Sequence, residues 1–107
     1  MQVFQDETKG EETEMIYVDN IVTIPQAVAR FHRSGNRWCH MWCDKGDEKQ
    51  LHKVAHAIGL KTSWFDNDSF HPHYDLTPPK RELALRQNSV RSMSYREWSR
   101  LQERKQK

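Results

Sequence analysis

A chain of 107 residues with 36% hydrophobic and 30% charged residues can build one small core and no more. No run approaches the roughly 20 apolar residues of a membrane span, and an acidic start, in place of a basic-then-apolar one, argues against a secretory signal. Cys39 and Cys43, four residues apart on one expected strand, make poor disulfide partners, so reduced thiols and a cytoplasmic setting are expected.

The formal charge of +2 is unevenly spread. Residues 1–14 carry Asp6, Glu7, Glu11, Glu12 and Glu14 against Lys9, a net of −4 that leaves +6 on the remainder. With little to bury, they read as a flexible acidic tail ahead of a single α/β domain over 15–102, which ends in a basic stretch, 103–107. Met15 to Asp19 reads as a short buried strand that closes on a carboxylate. Pro25 to Arg33 suits a short helix, with Pro at its start and Gly35 beyond its end. Arg37 to Cys43 is a second strand stopped by Asp44.

The spacing of Leu51, Val54, Ala55 and Ile58 predicts a helix over 48–58 with one apolar stripe, capped by Asp47 and stopped by Gly59. Ser63-Trp64-Phe65 is expected to form a third short strand, before a polar loop. Thr77 then caps a helix with Pro78 in its first position, and Asn88 ends it. Val90 to Met93 gives a last strand. Ser94-Tyr95-Arg96-Glu97 is a capping box that opens the final helix. Strands alternating with helices predict an α/β fold: a small, mainly parallel three- to four-stranded sheet flanked by helices.

Tyr17-Val18-Asp19, Arg37 to Met41, Leu51-His52, Ile58-Gly59-Leu60, Trp64-Phe65 and His73-Tyr74-Asp75-Leu76-Thr77 with Lys80-Arg81 together resemble a small bacterial and phage family. That family is the domain of unknown function numbered four thousand and thirty-one. The resemblance spans about residues 15–93 and implies a compact cytosolic domain, with no established reaction. Cys43 stands where the family pattern leads one to expect a small residue, Asn88 where glycine is usual, and His71 as an addition.

The segment from His71 to Arg81 is the richest in chemistry. Lys80 and Arg81 in the first turn of a helix oppose its positive end, so a negative group is expected beside them, either Asp75 or an anionic ligand. They can clamp phosphate, Arg81 by paired hydrogen bonds and Lys80 as a point charge. Asp19 sits at the carboxyl end of the first strand, where open α/β sheets place their ligand crevice. His73 titrates near neutrality and suits general acid–base work, with Asp75 or Asp19 orienting it or holding a divalent ion.

Structural readings compete. Asp75 can pair with Lys80 or Arg81 while His73 bonds a turn carbonyl. His52 and His56 read as boundary histidines, Cys39 as a buried inert thiol and most tryptophans as core. Cys39 and Cys43 lack zinc-knuckle spacing, and His40 faces away from them on a strand, so no resident metal is expected beyond a possible divalent ion.

The leading expectation is a binding module for an anionic ligand, a nucleotide or nucleic-acid phosphate. Arg37, His40, Tyr74, Lys80 and Arg81 would contact it. Its first rival is a small phosphodiester hydrolase that uses Asp19, His73 and Asp75 with or without a divalent ion. Its second rival is a protein-interaction domain. The absence of a Gly-rich phosphate loop argues against a nucleoside triphosphatase.

Overall fold

The computed structural model describes residues 16–25, 35–67 and 72–105. The acidic stretch 1–14, most of the helix expected over 25–33, His71 and the last two residues lie outside them. The described elements run β1 (Ile16–Val18), β2 (Val22–Thr23), β3 (Arg37–Cys43), α1 (Glu48–Ala57), a 3-10 turn (Thr62–Trp64), β4 (Tyr74–Leu76), α2 (Pro78–Leu85), β5 (Val90–Ser92) and α3 (Tyr95–Lys105).

β3 is the strand on which the sheet is organised. It pairs antiparallel with β1, β2 and β4, while β1 also pairs parallel with β5. The sheet of the described residues is therefore mixed and five-stranded, which corrects the expected mainly parallel sheet of three or four strands. Alternation of strands and helices constrains the layers but not strand direction. Direction depends on which end of the sheet each connection reaches. The long stretch between α1 and β4 brings β4 back against β3 in the opposite sense, an arrangement that a short helix-to-strand turn does not give.

Ser63-Trp64-Phe65 is not a strand. Residues 62–64 form a 3-10 turn in which Phe65 N–H donates to the Thr62 carbonyl at 3.0 Å. The strand that does form nearby is β4, and its buried–intermediate–buried pattern at Tyr74, Asp75 and Leu76 shows the period of two.

Side-chain alternation divides the sheet into two unlike faces. One face carries Ile16, Val18, Cys39, Met41, Tyr74 and Leu76, packed with Leu51, Val54 and Ala55 of α1 and Ala84 of α2. This is the main core. On the other face, the register sets Tyr17 opposite Trp42 and His40 opposite Asp75. α3 covers the first of these pairs. The Trp98 ring lies 6.0 Å from that of Trp42 and 6.5 Å from that of Tyr17, and Tyr95 lies 5.9 Å from Trp42. The second pair is left partly open.

Helix ends depart from the expected caps in detail. Ser94 caps α3 as its sequence implies, accepting from Glu97 N–H at 3.1 Å. Thr77 precedes α2 without a side-chain cap bond. Pro78 and Pro79 occupy the first two positions and bring no N–H, so few donors remain for Thr77 to satisfy. Asp47 also precedes α1 without capping it; instead Glu48 reaches back to Gly46 N–H at 3.1 Å.

Candidate functional site

The open half of the second face holds a polar group built from three separate segments. β1 ends at Val18, whose register partner is Met41, so the next residue, Asp19, falls opposite His40. The Asp19 carboxylate grips His40 twice. Oδ1 accepts from the His40 backbone N–H at 2.7 Å, and Oδ2 lies 2.9 Å from Nδ1. A ring held this way at Nδ1 carries its proton there and leaves Nε2 as the acceptor nitrogen.

The His40 ring meets the His73 ring edge-on, with centroids 4.8 Å apart. His73 precedes β4 and is fixed by reciprocal backbone bonds with Asp66, at 2.8 and 3.0 Å. Two residues on, Asp75 emerges on the same face, with Oδ1 3.3 Å from His73 Nε2. Asp66 Oδ2 approaches the same nitrogen at 3.7 Å. The ligating atoms of His40, His73 and Asp75 all lie within 4.8 Å of one another. The His73 side chain is 9% exposed, against 25% for Asp75 and 27% for His40, so the group is covered at its centre and partly open at its rim. Trp38, two residues before His40, flanks it with ring centroids 4.9 Å apart.

The remaining expected site residues lie elsewhere. Lys80 Nζ donates to the Ile58 carbonyl at 2.6 Å, tying α2 to the end of α1. Arg81 Nε donates to the Asp19 carbonyl at 2.8 Å, and its Nη2 reaches Ser92 Oγ at 3.3 Å. The negative partner expected for these cations is thus supplied by carbonyl oxygens, and Asp75 pairs with His73 instead. Tyr74 faces the core, fully buried, with its hydroxyl 2.7 Å from His52 Nδ1, and burial pushes its phenol pKa up. Arg37 is exposed at the start of β3, and strand alternation turns it away from His40. His56 bonds Thr62 Oγ1 at 2.6 Å, so the two helical histidines serve separate structural contacts.

Cys39 lies behind the site on the core face. Burial, and then the Asp19 carboxylate, push its thiol up to about 12, against a smaller opposing pull from Arg81. Such a thiol stays protonated and is no nucleophile at neutral pH. Cys43, raised by burial and by Glu48, also reaches about 12.

Two features were missed in the sequence. Asp19 and His40 were each candidates, but their partnership follows only from an antiparallel β1–β3 pairing. Asp66 carries no motif, and its approach to His73 depends on the isolated bridge between those residues.

Among the comparisons with known proteins, the family model described as protein of unknown function (DUF4031) matches residues 16–105. No curated protein and no solved structure matches the chain. No helix of the described residues is long and apolar enough to cross a membrane.

Proposed function

This chain belongs to the DUF4031 family, and we propose that it is a small hydrolase of phosphodiesters that binds a nucleotide or nucleic-acid phosphate over the His40–His73–Asp75 face. One observation carries the reading. Asp19, His40, His73 and Asp75 follow one another at 2.9 Å, an edge-on ring contact of 4.8 Å and 3.3 Å, on a sheet face where the His40 and Asp75 side chains are partly exposed. Imidazoles steered by carboxylates are the groups that water activation needs near neutral pH.

In the reaction a water oxygen attacks phosphorus, the ester P–O bond breaks, and the water proton ends on the departing alkoxide by way of this group. The +6 carried outside residues 1–14 favours the approach of an anion. The engagement of Lys80 and Arg81 with carbonyls supports placing the phosphate at the imidazoles rather than at the start of α2.

Turnover of bis(p-nitrophenyl) phosphate and of a short single-stranded oligonucleotide by the full chain tests this. His73→Ala and Asp75→Asn are expected to lose about 100-fold or more, while Lys80→Ala keeps most of the rate. A folded wild-type chain that cleaves neither substrate overturns the hydrolase reading, and binding without cleavage leaves only a phosphate-binding module.

A further inference from the structure

We propose that His40, His73 and Asp75 form a divalent transition-metal centre of the zinc class, with Asp19 as its positioning residue. The inference deepens the hydrolase reading by naming how its water is activated. It rests on geometry independent of any substrate.

The donor set is the first argument. Two borderline imidazoles beside one hard carboxylate suit zinc and its neighbours rather than magnesium or calcium, which prefer all-oxygen shells. Three protein ligands leave a coordination position for water, the pattern of catalytic rather than structural zinc. Spacing is the second. Metal bonds of about 2.0–2.2 Å in a tetrahedron set ligand atoms roughly 3.4 Å apart. The His73 Nε2 to Asp75 Oδ1 edge is already 3.3 Å, and all three donors lie within 4.8 Å. Side-chain rotation closes the set without moving the sheet, because His40 and Asp75 are cross-strand partners on β3 and β4.

The third argument is Asp19. A metal-bound histidine commonly gives its other ring N–H to a carboxylate, which fixes the tautomer and makes the ligating nitrogen more basic. Asp19 holds Nδ1 at 2.9 Å and at the same time the backbone N–H of the same residue at 2.7 Å. This double grip fixes the ring of a half-buried histidine and occupies Nδ1, which leaves Nε2 as the nitrogen that would ligate. Arg81, donating to the Asp19 carbonyl at 2.8 Å, holds the strand end that carries the gripping carboxylate.

Hydrolysis balances directly with such an ion. The metal lowers the pKa of its bound water, and the resulting hydroxide attacks phosphorus. The P–O ester bond breaks, and the proton given up by the water ends on the leaving oxygen. No electron changes hands.

The test is titration of the metal-stripped full chain with Co2+, followed by visible absorption, and with Zn2+, followed by calorimetry. One equivalent with intense low-symmetry cobalt bands is expected. His73→Ala and Asp75→Asn should abolish these bands, while His52→Ala should leave them intact. Asp19→Asn should keep the stoichiometry of one and weaken affinity about 10- to 100-fold. Circular dichroism verifies folding, and His40→Gln serves as a second ligand variant if His73→Ala does not fold. No stoichiometric binding to the wild type, or binding that survives loss of His73 and His40, overturns the centre. The two proposals fail separately. Metal binding without turnover leaves the centre standing and removes the hydrolase. Turnover by a chain that binds neither Co2+ nor Zn2+ removes the centre and leaves the hydrolase.

Discussion

Single residues in this protein are often fixed by backbone geometry as much as by their chemistry. Gly59 follows α1 with φ of 90°, where a side chain costs about 1–2 kcal/mol. A Cβ built there would lie 2.7 Å from Lys80 Nζ, the group that closes the Ile58 carbonyl. Gly59→Ala is therefore expected to cost about 1–2 kcal/mol in urea unfolding. The double variant with Lys80→Ala should lose less than the two singles summed, because the clash is gone. Gly59 as the helix stop was legible, since few other residues tolerate that conformation. The grip of Asp19 on His40 was not, because it depends on a strand pairing made between residues 21 positions apart.

At the scale of elements, α3 shows how one carboxylate can anchor a helix. Asp44, at the end of β3, accepts from the Tyr17 hydroxyl at 3.0 Å and from Trp98 Nε1 at 2.8 Å, with Gln102 at 3.4 Å. Asp44→Ala leaves two part-buried donors without their acceptor, and a loss of about 1–3 kcal/mol is expected. Chemical denaturation checks this, with the midpoint lowered and the slope unchanged. The box at Ser94 made this helix readable from sequence, as the apolar stripe did for α1. β4 was not readable. Tyr74-Asp75-Leu76 does alternate, but it runs directly into Thr77, Pro78 and Pro79, whose helix-start signal is the stronger one. The 3-10 turn at 62–64 was mistaken for a strand because Trp64 and Phe65 fit either a strand or a core-facing turn.

The whole molecule distributes its work between the two sheet faces, one filled by apolar side chains and helices, the other shared by α3 and the polar group. Both cysteines are raised from 9.0 to about 12 in the folded chain. An unfolded thiol ionises near 9 while the folded one keeps its proton, so above that point the unfolded state binds fewer protons. Stability is therefore complete below about pH 8 and falls as pH rises through the window from 9 to 12. Thermal melts across that range should show a declining midpoint. At pH 8 the native Cys39 thiol should resist Ellman's reagent until denaturant is added, and fast labelling of both thiols in the native chain would contradict its burial. Layer composition was legible in the sequence, because periodic apolar residues must be covered. Strand direction was not, since nothing local to β3 or β4 records which end of the sheet the intervening chain will reach.

The pairing of His40 with Asp75 ties chemistry to folding. A slip of one residue between β3 and β4 would turn one strand's functional side chain toward the apolar layer and bring a neighbour such as Met41 or Tyr74 out in its place. A mis-registered chain would then lack the proposed ion site. A ligand of that face thus proofreads the sheet, adding its free energy of binding to the correctly registered molecule and nothing to its impostors.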